Sequence, residues 1–228
     1  LALLALPAWA GPLEDANAAY ERGDYAAALP LYRTLAERGD GSAQSRLGSI
    51  YLSGRGTRRN FTEALKWSRR AAALGFADAQ HNLGTIYLNG FGVEQDLLEA
   101  ARWFSRAAEQ GHAQAQFVLA VLYSIGGGVQ KNLRMSAYWF ERAAVQGHAG
   151  AQADLGKMYG QGRGVPKDLV ASYKWLALAR TNARTAAVRT GAAKSLERLA
   201  AAMTPAQISD AQRLAREWRP VRPKGGSP

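Results

Sequence analysis

Apolar and polar positions along the chain follow a helical period in short blocks. Ala79, Leu83 and Tyr87 fall at i, i+4 and i+8, which is one face of a helix. Gly90 and Gly92 interrupt the block. Asp96 then precedes a second one, in which Leu97, Ala100, Trp103, Phe104 and Ala107 recur at spacings of three and four, and Gly111 ends it. The pattern predicts a helix–turn–helix unit. Glycine reaches positive φ at little steric cost and closes the first helix. The Asp96 side chain caps the second by accepting from the first-turn N–H groups.

The unit recurs. Trp67, Trp103, Trp139 and Trp175 are 36 residues apart, as are Tyr51, Tyr87, Tyr123 and Tyr159. The same interval separates Leu47, Leu83, Leu119 and Leu155, the alanines 43, 79, 115 and 151, and the turn glycines 54, 90, 126 and 162 with their partners 56, 92, 128 and 164. Asn60, Asn132 and Asp168 occupy the cap position of Asp96. Independent columns that agree over four copies without a gap predict an all-α chain. The expected form is an α/α superhelical solenoid of helix–turn–helix repeats closed by terminal capping helices. The repeated tyrosines and tryptophans form its expected core. Gly48, Gly84, Ala120 and Gly156 lie mid-helix, where glycine is costly, so the helices are expected to approach closely there. If Trp103 is buried, its replacement by Ala should cost about 3–5 kcal/mol.

The repeating columns read Ala-x-x-x-Leu-Gly-x-x-Tyr-x-x-Gly-x-Gly, then Asp or Asn, then Trp-x-x-x-Ala-Ala-x-x-Gly. Over Ala43 to about Ala179 this resembles the Sel-one-like repeat (SLR) family, a relative of the tetratricopeptide repeats. The departures are small: Ala120 stands for the helix glycine, Ser136 and Ser172 for a small alanine, and Thr57 for a loop valine. The resemblance implies a non-enzymatic adaptor whose first helices line a concave groove. Exported bacterial relatives act in envelope assembly, polysaccharide export or signalling complexes.

Around that core the chain divides as follows. Residues 1–10 read as a signal-peptide remnant, 11–39 as a tetratricopeptide-like helix pair, and 40–180 as four units (43–78, 79–114, 115–150 and 151–180). Residues 181–218 read as capping helices and 219–228 as a disordered basic tail. Pro30 predicts a kink in the second helix, or a helix that starts there. Thr204-Pro205 predicts an N-cap followed by proline at the first helical position. Leu1–Leu6 is uninterrupted apolar sequence, and Ala8-Trp9-Ala10 is a small-x-small site, which predicts cleavage after Ala10 and export to the periplasm. The alternative is an apolar helix docked on the fold.

The chain has no cysteine, so burial alone holds the fold and thiolate chemistry is excluded. Net charge is +11, and residues 181–228 carry nine Lys or Arg against three acids. This is either a solvated basic surface or a field that draws anionic partners. In an exported protein those are acidic protein faces, anionic envelope polymers such as peptidoglycan, or lipid headgroups, and not nucleic acid. No phosphate-binding loop or His-Glu-x-x-His motif is present. Gly126–Gly128 fall at an inter-helix turn, and His112 and His148 are repeat equivalents placed to pack or cap. No cofactor, metal or catalytic residue is expected.

Against the invariant core stripe, the opposite stripe of each first helix varies freely. In the third unit it is apolar, through Phe117, Val118, Val121 and Ile125. An apolar patch in a groove anchors a partner's helix or extended peptide, unless another part of the chain covers it. Asn82, Thr85, Asn89, Phe117, Val118, Val121, Asp154 and Lys157 are therefore the expected partner-binding residues. The expected structural core is Tyr51, Trp67, Tyr87, Trp103, Tyr123, Trp139, Tyr159 and Trp175.

Overall fold

The computed structural model describes residues 11–221. The expected leader remnant, 1–10, and most of the expected tail, 222–228, lie outside the described residues. Among those described there are only helices, turns and loops. They form two compact units, one ending at Gln95 and one beginning at Asp96.

The first unit contains α1 (Pro12–Glu21), α2 (Tyr25–Glu37), α3 (Gly41–Ser53), α4 (Phe61–Ala73) and α5 (Ala77–Asn89). Each packs on the next, and α3 also packs on α5. The second unit contains α6 (Leu97–Glu109), α7 (Ala113–Ile125), α8 (Leu133–Ala144), α9 (Ala149–Gln161), α10 (Leu169–Asn182), α11 (Ala186–Ala200) and α12 (Pro205–Glu217). From α6 to α11 successive helices pack there too, and α12 packs on α10. The fold is an all-α solenoid of repeated helix–turn–helix units.

The cap residues set the boundaries. Asn60, Asp96, Asn132 and Asp168 accept from the backbone N–H of Glu63, Glu99, Met135 and Ala171 at 2.9–3.1 Å. First helices begin two residues before the unit starts read from the alanine column, because Asp40, His112 and His148 also cap. Gly54, Gly90, Gly126 and Gly162 close the first helices at φ between 67° and 85°.

The second glycine of each loop does something different. A Cβ on Gly56 would strike Tyr25, and one on Gly92 would strike Phe61. On Gly128 it would strike the Leu97 carbonyl, and on Gly164 the Leu133 carbonyl. Each of these targets is the first residue of the preceding second helix. α2 therefore keeps the register of the later units, and the N-terminal pair is seated by the same contact as the rest.

The core is alanine-rich, with Tyr32, Leu47, Ile50, Leu83 and Ile86 fully buried in the first unit and Phe104, Leu119 and Leu155 in the second. It also holds a polar column. Gln44, Gln80, Gln116 and Gln152 are 36 residues apart and buried. The Nε2 groups of Gln44, Gln116 and Gln152 donate to the carbonyls of Ala36, Ala108 and Ala144 at 2.9–3.0 Å. Those carbonyls lie in the last turn of the preceding second helix, where each also accepts from the backbone N–H of Gly39, Gly111 or Gly147 in the turn that follows. Each glutamine thus ties one helix pair to the next.

Three expectations need amending. α2 starts at Tyr25, well before Pro30, so proline is carried inside the helix and does not open it. Trp67, Trp139 and Trp175 are buried, but Trp103 is only partly buried, with the Arg106 guanidinium 4.5 Å from its ring centroid. The premise behind a large Trp103→Ala penalty is met only in part, since the indole Nε1 is buried while part of the ring is not. Residues 219–221, read as tail, are tied down: the Val221 N–H donates to the Val145 carbonyl at 2.8 Å.

Candidate partner-binding surface

The expected binding residues divide between the two units. In the first, Asn82 is buried, and its Nδ2 donates to Ser49 Oγ of α3 at 2.9 Å. It joins two first helices. Thr85 Oγ1 donates to the His81 carbonyl and Asn89 Nδ2 to the Thr85 carbonyl, so both bond back to their own helix.

In the second unit Val121, Asp154 and Lys157 line one cavity of about 290 Å³, with Leu133, Phe140 and Met158 beside them. Asp154 and Lys157 form an ion pair at 2.9 Å, one helical turn apart on α9. Val118 is half-buried, and Ile125, at the end of the same stripe, is 66% exposed. An aliphatic side chain left that bare is unpartnered surface.

Phe117 is engaged. Its ring stacks on the His148 imidazole with centroids 4.5 Å apart and packs on Phe140 at 5.8 Å. The histidine is fixed as well. Its Nδ1 accepts from the Ala151 N–H at 3.1 Å, so the ring proton sits on Nε2, which donates to Gln114 Oε1 at 2.9 Å. Burial holds this imidazole below its ordinary value of 6.5, against smaller opposing effects of its own backbone and Asp154. The unfolded chain then binds the proton first. The cap's contribution is complete above 6.5 and is lost as pH falls from there towards the folded value. Stability measured by urea titration is expected to fall with pH in that window, by at most about 1.4 kcal/mol per pH unit from this residue. His148→Asn keeps an acceptor at the cap and should flatten the slope. An unchanged slope would assign the pH dependence elsewhere.

Among the described residues no group of three His, Cys, Asp or Glu side chains is placed to hold a metal ion. No described helix is long and apolar enough to cross a membrane.

The sequence profile of the Sel1 repeat matches residues 41–76, 77–112, 113–148 and 149–182. The chain belongs to the Sel1 repeat family. Two solved Sel1-type structures are each 34% identical to it. One is a protective antigen of uropathogenic Escherichia coli strains that displays an SLR fold, with a TM-score of 0.75 over 84% of this chain and 40% of that one. The other is a Sel1 repeat protein from Oxalobacter formigenes, with a TM-score of 0.67 over 75% of this chain and 49% of that one. The chain thus spans less than half the length of these relatives. A Sel1 repeat protein from Klebsiella pneumoniae shares the fold at 18% identity and a TM-score of 0.52, over 81% of this chain and 89% of that one. No curated protein matches the sequence.

Placed in Sel1 register, the histidines at 112 and 148 become N-caps, and the buried glutamines become the fourth residue of each first helix. The glutamine column was visible in the sequence as a fixed 36-residue spacing.

Proposed function

We propose that the chain is an adaptor that binds a segment of a partner protein along the first-helix face of α7 and α9. Sel1 repeats are non-catalytic scaffolds for protein interaction, and the first-helix face of α7 departs from its repeat equivalents in one direction. Where Ser53, Asn89 and Gln161 are polar, the fourth equivalent is Ile125, largely exposed beside the cavity that Val121 lines. That bare apolar edge carries the reading. Its place in the cell envelope rests on the leader-like Leu1–Ala10 and on the resemblance to exported relatives.

A photo-crosslinking residue at 125 should capture a discrete partner from envelope extracts, whereas one at Arg102 on α6 should not. Val121→Asp is expected to abolish the crosslink from 125 while leaving the helical circular dichroism intact. Capture that survives Val121→Asp would remove α7 from the binding surface. A second reading is a basic binder of anionic envelope polymer or peptidoglycan, favoured by the cationic excess in 181–228. It calls for binding that falls steeply with ionic strength and needs no apolar contact.

A further inference from the structure

The cavity beside Val121 adjoins a second one in the same unit. This second cavity, of about 310 Å³, lies between the C-terminal ends of α9 and α11 and the start of α10. Lys157 and Gln161 border both, so a single groove passes around the solvent side of α9.

One position that borders the second cavity changes along the repeat. Its column in the repeat reads Leu52, Leu88, Ser124, Gly160. In the last unit the leucine is reduced to bare backbone, and α11, which lies outside the 36-residue register, closes the far side without filling it. The floor is apolar, formed by Leu169, Leu176 and Leu199, with the exposed Ala202 at the rim. Its charged lining is entirely cationic: Lys157, Lys167 and Arg198, with Arg163 at the neighbouring cavity. The one carboxylate along the groove, Asp154, is already paired with Lys157. Lys167 and Arg198 have no side-chain hydrogen bond or ion pair among the described residues. Nearby, Glu197 and Lys194 of α11 point off the groove lining, and the Asp168 carboxylate caps α10 through the Ala171 N–H.

The geometry points to an acidic polypeptide segment as the occupant, one in which carboxylates flank a large apolar side chain. The apolar side chain enters the cavity over Leu176 and Leu199. The flanking carboxylates reach Lys167 and Arg198, which gain partners without breaking any existing ion pair. An anionic polysaccharide would satisfy the cations but leave the apolar floor wet. A neutral peptide would fill the floor and leave the cations unanswered. This inference rests on the adaptor reading and names the chemistry of the segment bound.

A random peptide display library selected against the full chain tests it. Enrichment of sequences with acidic residues on both sides of an aromatic residue or leucine is expected. Lys167→Glu combined with Arg198→Glu should weaken a selected peptide by on the order of tenfold, and the loss should shrink at high salt. Ala202→Trp, which plugs the cavity from its exposed rim, should weaken it comparably. Arg180→Glu, at a separate cavity between α10 and α12, should not. A neutral or basic consensus overturns the inference. So does an acidic consensus that binds the doubly reversed variant unchanged, a result that leaves the crosslink from 125 free to stand. Competition by dextran sulfate as strong as that by peptide, with Ala202→Trp silent, would make the site a polyanion patch instead.

Discussion

Adding a single methyl group at Gly128 is expected to destabilise the second unit more than any other substitution of that size. The residue holds φ at +70°, and a side chain in the left-handed region costs about 1–2 kcal/mol. The new Cβ would also fall on the Leu97 carbonyl and the Leu98 nitrogen. Both are backbone atoms at the start of α6, so no rotamer change relieves the overlap, and overpacking adds about 1–3 kcal/mol. Gly147→Ala separates the two contributions. Its φ is +91°, but the nearest atoms to a new Cβ are Trp218 and Pro220 at 3.8 and 4.0 Å, which is ordinary contact. Urea denaturation of the pair should show Gly147→Ala losing the conformational part alone and Gly128→Ala losing clearly more. Equal losses would mean that the loop does not bear on the helix before it.

Phe104→Ala is expected to cost about 3–5 kcal/mol, the range for a fully buried aromatic ring. Trp103→Ala, one residue away, should cost distinctly less. The indole is less completely buried than Phe104, with its Nε1 shielded but part of its ring at the surface beneath Arg106, so its removal empties a less enclosed space. Thermal or urea melts of the two variants read the order directly. If Trp103→Ala proved the more damaging, the helical register of α6 would be wrong by one position.

The period, the helix–loop–helix unit and the Asx caps were legible because each is written in residue types with one dominant local role. The histidine caps were legible only as one of two alternatives, packing or capping. His is a rare N-cap, and only the geometry shows Nδ1 of His112 and His148 accepting from the backbone. The glutamine column was present in the sequence but reads as surface, since its burial depends on a carbonyl eight residues upstream in another helix. Asn82 misled for a related reason. Its partner Ser49 lies 33 residues away on the neighbouring first helix, and a comparison made within one repeat cannot show that pairing. Of the residues expected to bind a partner, Val121, Asp154 and Lys157, picked out by their freedom to vary, line one cavity. Arg198, Leu199 and Ala202 were missed because α11 lies outside the 36-residue register.

The loop glycines carry one more consequence. Gly56, Gly92, Gly128 and Gly164 each rest on the residue 31 positions upstream. Losing or gaining one residue inside that interval would set a side-chain-bearing position against a helix start and unseat both neighbours. Excising or duplicating a full period would leave every remaining glycine facing a helix start. The molecule's length can therefore change only in discrete steps, as a ladder is shortened by whole rungs.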